Sequence, residues 1–195
     1  MGLCSIKPMK LKENKKTMMN TQKARKTEFL LKTLEKLYDR YIRDGPLKRF
    51  PLSTFQHAYR PGRSCETALH QLVSRNGKSL FYKESSLFLD IEGAFNKLQF
   101  EVVKRAALRH GLQPTVICWL LSLLRCRLLT ISINEANVKA LAIQGCPQGG
   151  VLSPLMWSMA VDDLLNLLGR SDIFAQAYAD DVVVSVAGKF TERIK

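Results

Sequence analysis

The sequence predicts an α+β fold, on three observations. Helical periodicity dominates the first half, whereas the second half reads strand, helix, strand. A short apolar run, Ser86-Leu-Phe-Leu-Asp-Ile91, ends in an acid. A second pair of acids, Asp180-Asp181, lies between the apolar residues Ile173, Phe174, Ala175 and Ala177 and the run Val182-Val-Val-Ser-Val186. That order fits helices segregated beside an antiparallel sheet better than a doubly wound parallel one.

Each element follows from local chemistry. Residues 1–26 hold eight Lys/Arg against Glu13 alone and show no apolar period, which predicts a basic, disordered tail. From Phe29, the residues Leu30, Leu34, Leu37, Tyr38 and Tyr41 recur at helical spacing. Lys32, Glu35, Lys36, Asp39, Arg40 and Arg43 fill the other positions, and Gly45-Pro46 stops the helix. A polar loop over residues 51–62 leads to a second helix, N-capped by Ser64, with Ala68, Leu69, Leu72 and Val73 inward and Asn76-Gly77 at its end. Residues 86–91 read as a buried strand. Residues 100–110 form a helix closed by Gly111, and Pro114 opens another that runs to about Cys126. Residues 128–133 and 138–143 alternate as a hairpin turning near Asn134. Ser153-Pro154 starts a helix to about Leu168, and a hairpin with its acids near the turn completes the pattern.

Basic residues outnumber acidic ones by 30 to 17, a net charge of +13 that favours a polyanionic partner. Residues 1–26 carry +7 of it and residues 27–195 the remaining +6. The five cysteines are odd in number and lack metal-finger spacing, which predicts a reducing compartment. Ile6 stands where N-myristoylation needs Ser or Thr. The longest apolar run, residues 116–121, is far too short to span a bilayer. The reading is a soluble, intracellular protein with no membrane partner.

Side-by-side acids repel and must each be desolvated, so they add nothing to a buried hairpin. A divalent cation removes the objection, because hard cations bind carboxylate oxygen. Asp90 supplies a third carboxylate at a strand end. If its strand pairs beside the Asp180-Asp181 hairpin, three acids meet at one sheet edge. Such a set suits two Mg²⁺ ions roughly 3.5–4 Å apart, as in phosphoryl displacement. Between them, Gln144-Gly-Cys-Pro-Gln-Gly-Gly-Val-Leu-Ser-Pro154 is a Gly-rich turn into a helix start, a type of site that holds anions. Glu92 should point away from Asp90, and Asp162 and Asp163, in mid-helix, read as surface acids. His57, His70 and His110 share no ligand spacing, and Trp119 and Trp157 read as core.

The chain resembles the reverse transcriptase domain of non-LTR (LINE-type) retrotransposons. Four segments carry the resemblance in order: Gln56-His-Ala-Tyr-Arg-Pro-Gly-Arg-Ser64, Leu89-Asp-Ile-Glu-Gly-Ala-Phe95, Gly145-Cys-Pro-Gln-Gly-Gly-Val-Leu-Ser-Pro154 and Tyr178-Ala-Asp-Asp181. It implies a right-hand polymerase, with partial fingers over about residues 27–85 and a palm sheet flanked by helices over about 86–195. It also implies RNA-directed DNA polymerase activity, in which dNTPs are joined to a primer 3′-OH. Asp90, Asp180 and Asp181 would be catalytic and bind two Mg²⁺ ions, with Mn²⁺ as a substitute. Phe95 would select deoxynucleotides, Gln148 and Gly149 would line the nucleotide pocket, and Arg60, Arg63 and Tyr178 would meet the RNA template and DNA primer. Phe95 and the Tyr-Ala-Asp-Asp form argue against an RNA-dependent RNA polymerase.

Two departures qualify this. Family members carry an Arg-Pro-Ile-Ser-like segment before the first helix, where this chain has Gln22-Lys-Ala-Arg-Lys-Thr-Glu28; Arg25 and Lys26 are out of register as replacements. The family's thumb would lie beyond Lys195. The expectation is therefore a truncated retroelement copy, with a catalytically inactive, basic nucleic-acid-binding remnant as the alternative.

Overall fold

The computed structural model describes residues 15–76, 84–133, 136–169 and 173–187. Helix α1 (Lys15–Asp44) is followed by the single turn α2 (Pro46–Arg49) and by α3 (Cys65–Asn76). Strand β1 (Glu84–Asp90) leads into the short α4 (Ala94–Lys97), then α5 (Phe100–Arg109) and α6 (Pro114–Arg125). The hairpin β2 (Leu128–Ile133) and β3 (Ala136–Leu141) precedes α7 (Ser153–Gly169). Strands β4 (Phe174–Tyr178) and β5 (Asp181–Ala187) form the last described hairpin. Helices and two antiparallel sheets make this a mixed α and β fold, as the order of periodicities implied. No described helix is long and apolar enough to cross a membrane.

The larger sheet has the order β1-β5-β4. Ala175 and Ala177 of β4 and Val182 and Val184 of β5 are cross-strand partners on one face, packed into the core with α7. The outer side of β4 is closed by the 55–57 segment: the Ala177 N–H donates to the Phe55 carbonyl and the His57 N–H to the Ala177 carbonyl, at 2.9 and 3.0 Å. On the other face α3 approaches, and Gln176 Nε2 donates to the Ala68 carbonyl at 2.8 Å. The core itself joins α5, α6 and α7 through Val103, Ala106, Leu120, Leu124, Leu155 and Met159.

Local signals behaved as their chemistry requires. Ser64 caps α3, its Oγ accepting the Thr67 N–H while Thr67 Oγ1 accepts the Ser64 N–H. Gly111 follows α5 with φ 69°, the left-handed conformation that ends a helix. Pro114 opens α6. The β2-β3 hairpin is in place, and its turn near Asn134 lies outside the described residues.

Several expectations about faces and ends are corrected. Helix α1 begins at Lys15, so residues 15–26 are helical rather than a disordered tail; the segment has no Gly or Pro, and its four Lys, two Met, Gln22, Ala24 and Arg25 favour helix. Residues 1–14 of that tail lie outside the described residues. The apolar stripe of α1 also faces outward: Leu30, Leu34, Leu37 and Tyr41 are exposed, Leu37 by 60%. The buried positions are instead Glu35 and Ile42, with the half-buried Tyr38 between them stacked on Trp119 at 4.0 Å. In α3 only Ala68 and Leu72 are buried, while Leu69 and Val73 are exposed. Strand β1 is a sheet edge rather than a buried strand; Phe88 is 69% exposed.

Candidate active site

The β1-β5 register sets Asp90 directly opposite Asp181, and β4-β5 sets Tyr178 opposite Asp181. Cross-strand partners share a face, so all three lie on the α3 side of the sheet. Asp180 occupies the two-residue turn between Tyr178 and Asp181, and its carbonyl accepts the Ile91 N–H at 3.1 Å. The condition on which the three acids were expected to converge, pairing of their strands, is therefore met in the backbone. Among the described residues, however, no three Asp, Glu, His or Cys side chains are gathered closely enough to form a ready ligand cluster. No ion pair or hydrogen bond to a described side chain neutralises Asp90, Asp180 or Asp181. Three acids without a described counter-ion at one strand end are an electrostatic hole that favours a cation.

A cleft of about 380 Å³ runs from these acids between α3 and the sheet. Cys65, Leu69 and Leu72 line one side, and Phe88, Val183, Asp90, Asp181 and Tyr178 the other. The four described cysteines are free thiols.

Phe95, on α4, is partly buried between two aromatics. Its ring stacks on Trp157 at 5.7 Å and meets Tyr59 edge-on at 6.3 Å. Tyr59 has a left-handed backbone, φ 59°. Burial and then the nearby Asp180 carboxylate push its phenol above the ordinary value, so Tyr59 stands beside the acidic turn although sequence reasoning passed over it. The signal was available, since Tyr59 lies inside the first of the four motif segments.

The Gly-rich segment lies against α4. The Gly145 N–H donates to the Leu98 carbonyl and the Cys146 N–H to the Phe95 carbonyl, at 2.7 and 2.8 Å. A Cβ at Gly145 would fall 2.5 Å from the Asn96 carbonyl oxygen, so the approach requires glycine. Gln148 and Gly149 are exposed at the turn. The helix start beyond is already occupied by an anion of this chain. Glu35 of α1, 4% exposed, accepts the Val151 and Leu152 N–H groups through Oε2 at 2.7 and 3.3 Å. Glu35 read as a surface position in the sequence; only the folded contact reveals it.

Arg60 and Arg63 diverge. Arg60 turns inward, and its Nη1 donates to the Ser53 and Gln56 carbonyls, bracing the loop that carries the first motif. Arg63 is half-buried nearer the loop surface. The Ser53 N–H donates to Asp162 Oδ1 at 2.5 Å, so this loop is tied to α7 as well.

Asp162 is thus a correction: it is 1% exposed, not on the surface. Helix α7 is buried on nearly every side from Leu155 to Asp162, which its sequence pattern did not disclose. Asn166 donates to Asp162 Oδ2 at 2.7 Å, and His110 Nε2 stands 3.5 Å away as an electrostatic contact. Burial alone would raise this carboxyl; His110, the Ser53 N–H and Asn166 outweigh it and hold it below the ordinary 3.8. His57, fully buried between Thr67 and Gln71, is pushed below the ordinary 6.5 chiefly by burial. Both shifts oppose folding in acid. A depressed carboxylate stabilises the fold above its unfolded value and loses that as pH falls through the folded one. A histidine held neutral begins to favour the unfolded chain once pH drops below its unfolded value. Chemical denaturation is expected to show stability declining below about pH 6.5 and falling again below about pH 4. Asp162→Asn should remove the second decline; its persistence would assign it to other groups.

A model of the family described as Reverse transcriptase (RNA-dependent DNA polymerase) matches residues 12–192. The chain is 28% identical over 134 residues to a putative 115 kDa protein in type-1 retrotransposable element R1DM of Drosophila melanogaster, covering 69% of this chain and 13% of that protein. It is 28% identical over 175 residues to the RNA-directed DNA polymerase from mobile element jockey of the same species, covering 82% and 19% respectively. A probable RNA-directed DNA polymerase from transposon X-element, also of that fly, is 30% identical over 141 residues, with 67% and 15% covered. The chain thus spans less than a fifth of the length of each of these relatives. It belongs to the reverse transcriptase family, as a domain of the non-LTR (LINE-type) retrotransposon kind.

Proposed function

We propose that this chain is the nucleotidyl-transfer portion of an RNA-directed DNA polymerase, and that Asp90, Asp180 and Asp181 hold the metal ions of the reaction. The observation that carries the proposal is the ladder pairing of Asp90 with Asp181, with Asp180 in the adjoining turn. The donor chemistry suits Mg²⁺: three hard carboxylates, exposed or half-buried, with no described cation paired to them. When bound, Mg²⁺ supplies charge that favours ionisation of the attacking hydroxyl and departure of pyrophosphate. In the transfer, the primer 3′-OH attacks the α-phosphate of a dNTP, and the bond to the pyrophosphate breaks.

The remaining residues then have positional work. Phe95, held between Tyr59 and Trp157, would set a wall beside the sugar. Gln148 and Gly149, on a turn anchored at both ends, would face the nucleotide and template. Tyr178, across the ladder from Asp181, would lie near the primer terminus. Arg63 would meet template phosphate, while Arg60 shapes the loop that presents it. In this reading residues 27–85 act as fingers and 86–195 as the palm, with RNA template, DNA primer and dNTP as partners. The net charge of +13 supports a polyanionic partner.

The test is primer extension on an RNA template by the purified chain. Incorporation that requires template, is lost on chelation and returns with Mg²⁺ or Mn²⁺ is the expected result. A folded chain that binds template-primer yet incorporates nothing would sink the catalytic reading. Salt-sensitive binding alone would then identify a non-catalytic nucleic-acid-binding domain.

A further inference from the structure

We propose that Trp157 is a positioning residue, holding the acidic turn and Phe95 in one fixed relation; this rests on the polymerase reading above. Trp157 is 6% exposed on α7, and its ring lies against Phe95. A core role would need only the ring. The indole adds one directional group, and that group is aimed at the site: Nε1–H donates to the Ala179 carbonyl at 2.8 Å.

This carbonyl belongs to the peptide bond that leads into Asp180. The next carbonyl, that of Asp180, accepts the Ile91 N–H beside Asp90. The two peptide groups that define the Asp180 backbone are therefore each fixed, one to α7 and one to the end of β1. Ala179 also has φ 55°, a left-handed conformation that an L-residue with a Cβ disfavours. A turn with this disfavoured residue would relax if its carbonyl were released. The Trp157 bond opposes that relaxation, and the stack on Phe95 transmits the same reference position to the opposite wall.

The experiment is Trp157→Phe in the full chain, which keeps an aromatic ring and deletes the donor. Three quantities are read: folding by circular dichroism and melting, Mn²⁺ affinity by electron paramagnetic resonance, and single-nucleotide incorporation. With the fold retained, kcat is expected to fall about tenfold and Mn²⁺ to bind several-fold more weakly, while KM for dNTP stays within about twofold. A merely structural tryptophan would lower the melting temperature and leave metal affinity and kcat per folded molecule unchanged, and that result would overturn the proposal. If Trp157→Phe does not fold, Trp119→Phe leaves Trp157 as the single indole, and its Nε1–H resonance is followed during a Mg²⁺ titration. Movement with metal supports the coupling; an unmoved resonance overturns it. A wild-type chain that binds no Mn²⁺ would instead defeat the polymerase reading itself, whereas wild-type binding with an indifferent Trp157→Phe defeats the positioning role alone.

Discussion

Replacing Asp180 with Asn is expected to lower template-directed dNTP incorporation by at least about 10³-fold while leaving the chain as stable as before, or slightly more so. Asn has nearly the same shape, and both peptide groups around Asp180 are fixed by backbone contacts to Trp157 and Ile91 that the substitution leaves alone. What changes is charge. Like charges facing each other across a ladder are destabilising, and the turn acid adds to the Asp90–Asp181 pair. Removing one acid relieves that repulsion and at the same time removes one of the three ligands proposed for the cation. Activity and stability should therefore move in opposite directions. Primer extension and a thermal melt on the same preparation decide it. Activity within tenfold of wild type, or activity lost together with a lowered melting temperature, would count against the assignment.

Glu35→Ala should be strongly destabilising for a single change at a charged residue, by about 2–4 kcal/mol. Glu35 is buried and makes two charge-assisted contacts, to the Val151 and Leu152 N–H groups, and Leu152 is itself in the core. Truncation would leave two donors without an acceptor at the entry to α7, together with a void under α1. For a chain of this size that corresponds to a fall in melting temperature of roughly 5–15 °C. Glu35→Gln keeps an acceptor oxygen in place and should recover about half of the loss. Equal melting temperatures for Glu35→Ala and wild type would show that water replaces the carboxylate at no cost.

The four motif segments and most of the elements were legible from residue order, because caps, helix stops and β-branched runs act locally. Ser64, Gly111 and Pro114 mark their helix ends as the chemistry of those residues requires. Which face of an element is buried was much less legible. The apolar stripe of α1 pointed toward a core, yet the fold buries Glu35 instead, because the N–H groups before α7 need an acceptor. Asp162 was hidden for the related reason that its partners, the Ser53 N–H and His110, lie far away in sequence. β1 looked buried from its apolar run, yet it forms the sheet edge, a matter of topology that a short run does not encode. The pairing of Asp90 with Asp181 was foreseen only as a condition, and register decided it.

Helix α7 touches all four motif segments. It begins in the Gly-rich segment, receives Gln56 Nε2 at its Ser158 carbonyl, stacks Trp157 on Phe95 and bonds the Ala179 carbonyl. The site is thus referenced to one rod rather than to the chain that joins its parts. The connections between motifs therefore have little say in where the acids sit. Insertions or deletions there should be tolerated without displacing the chemistry, since added loop length costs only a logarithmic entropy. A one-residue insertion between Trp157 and Ser158 would rotate Ser158 and Asp162 about 100° relative to Trp157, and would uncouple the motifs that no linker holds together.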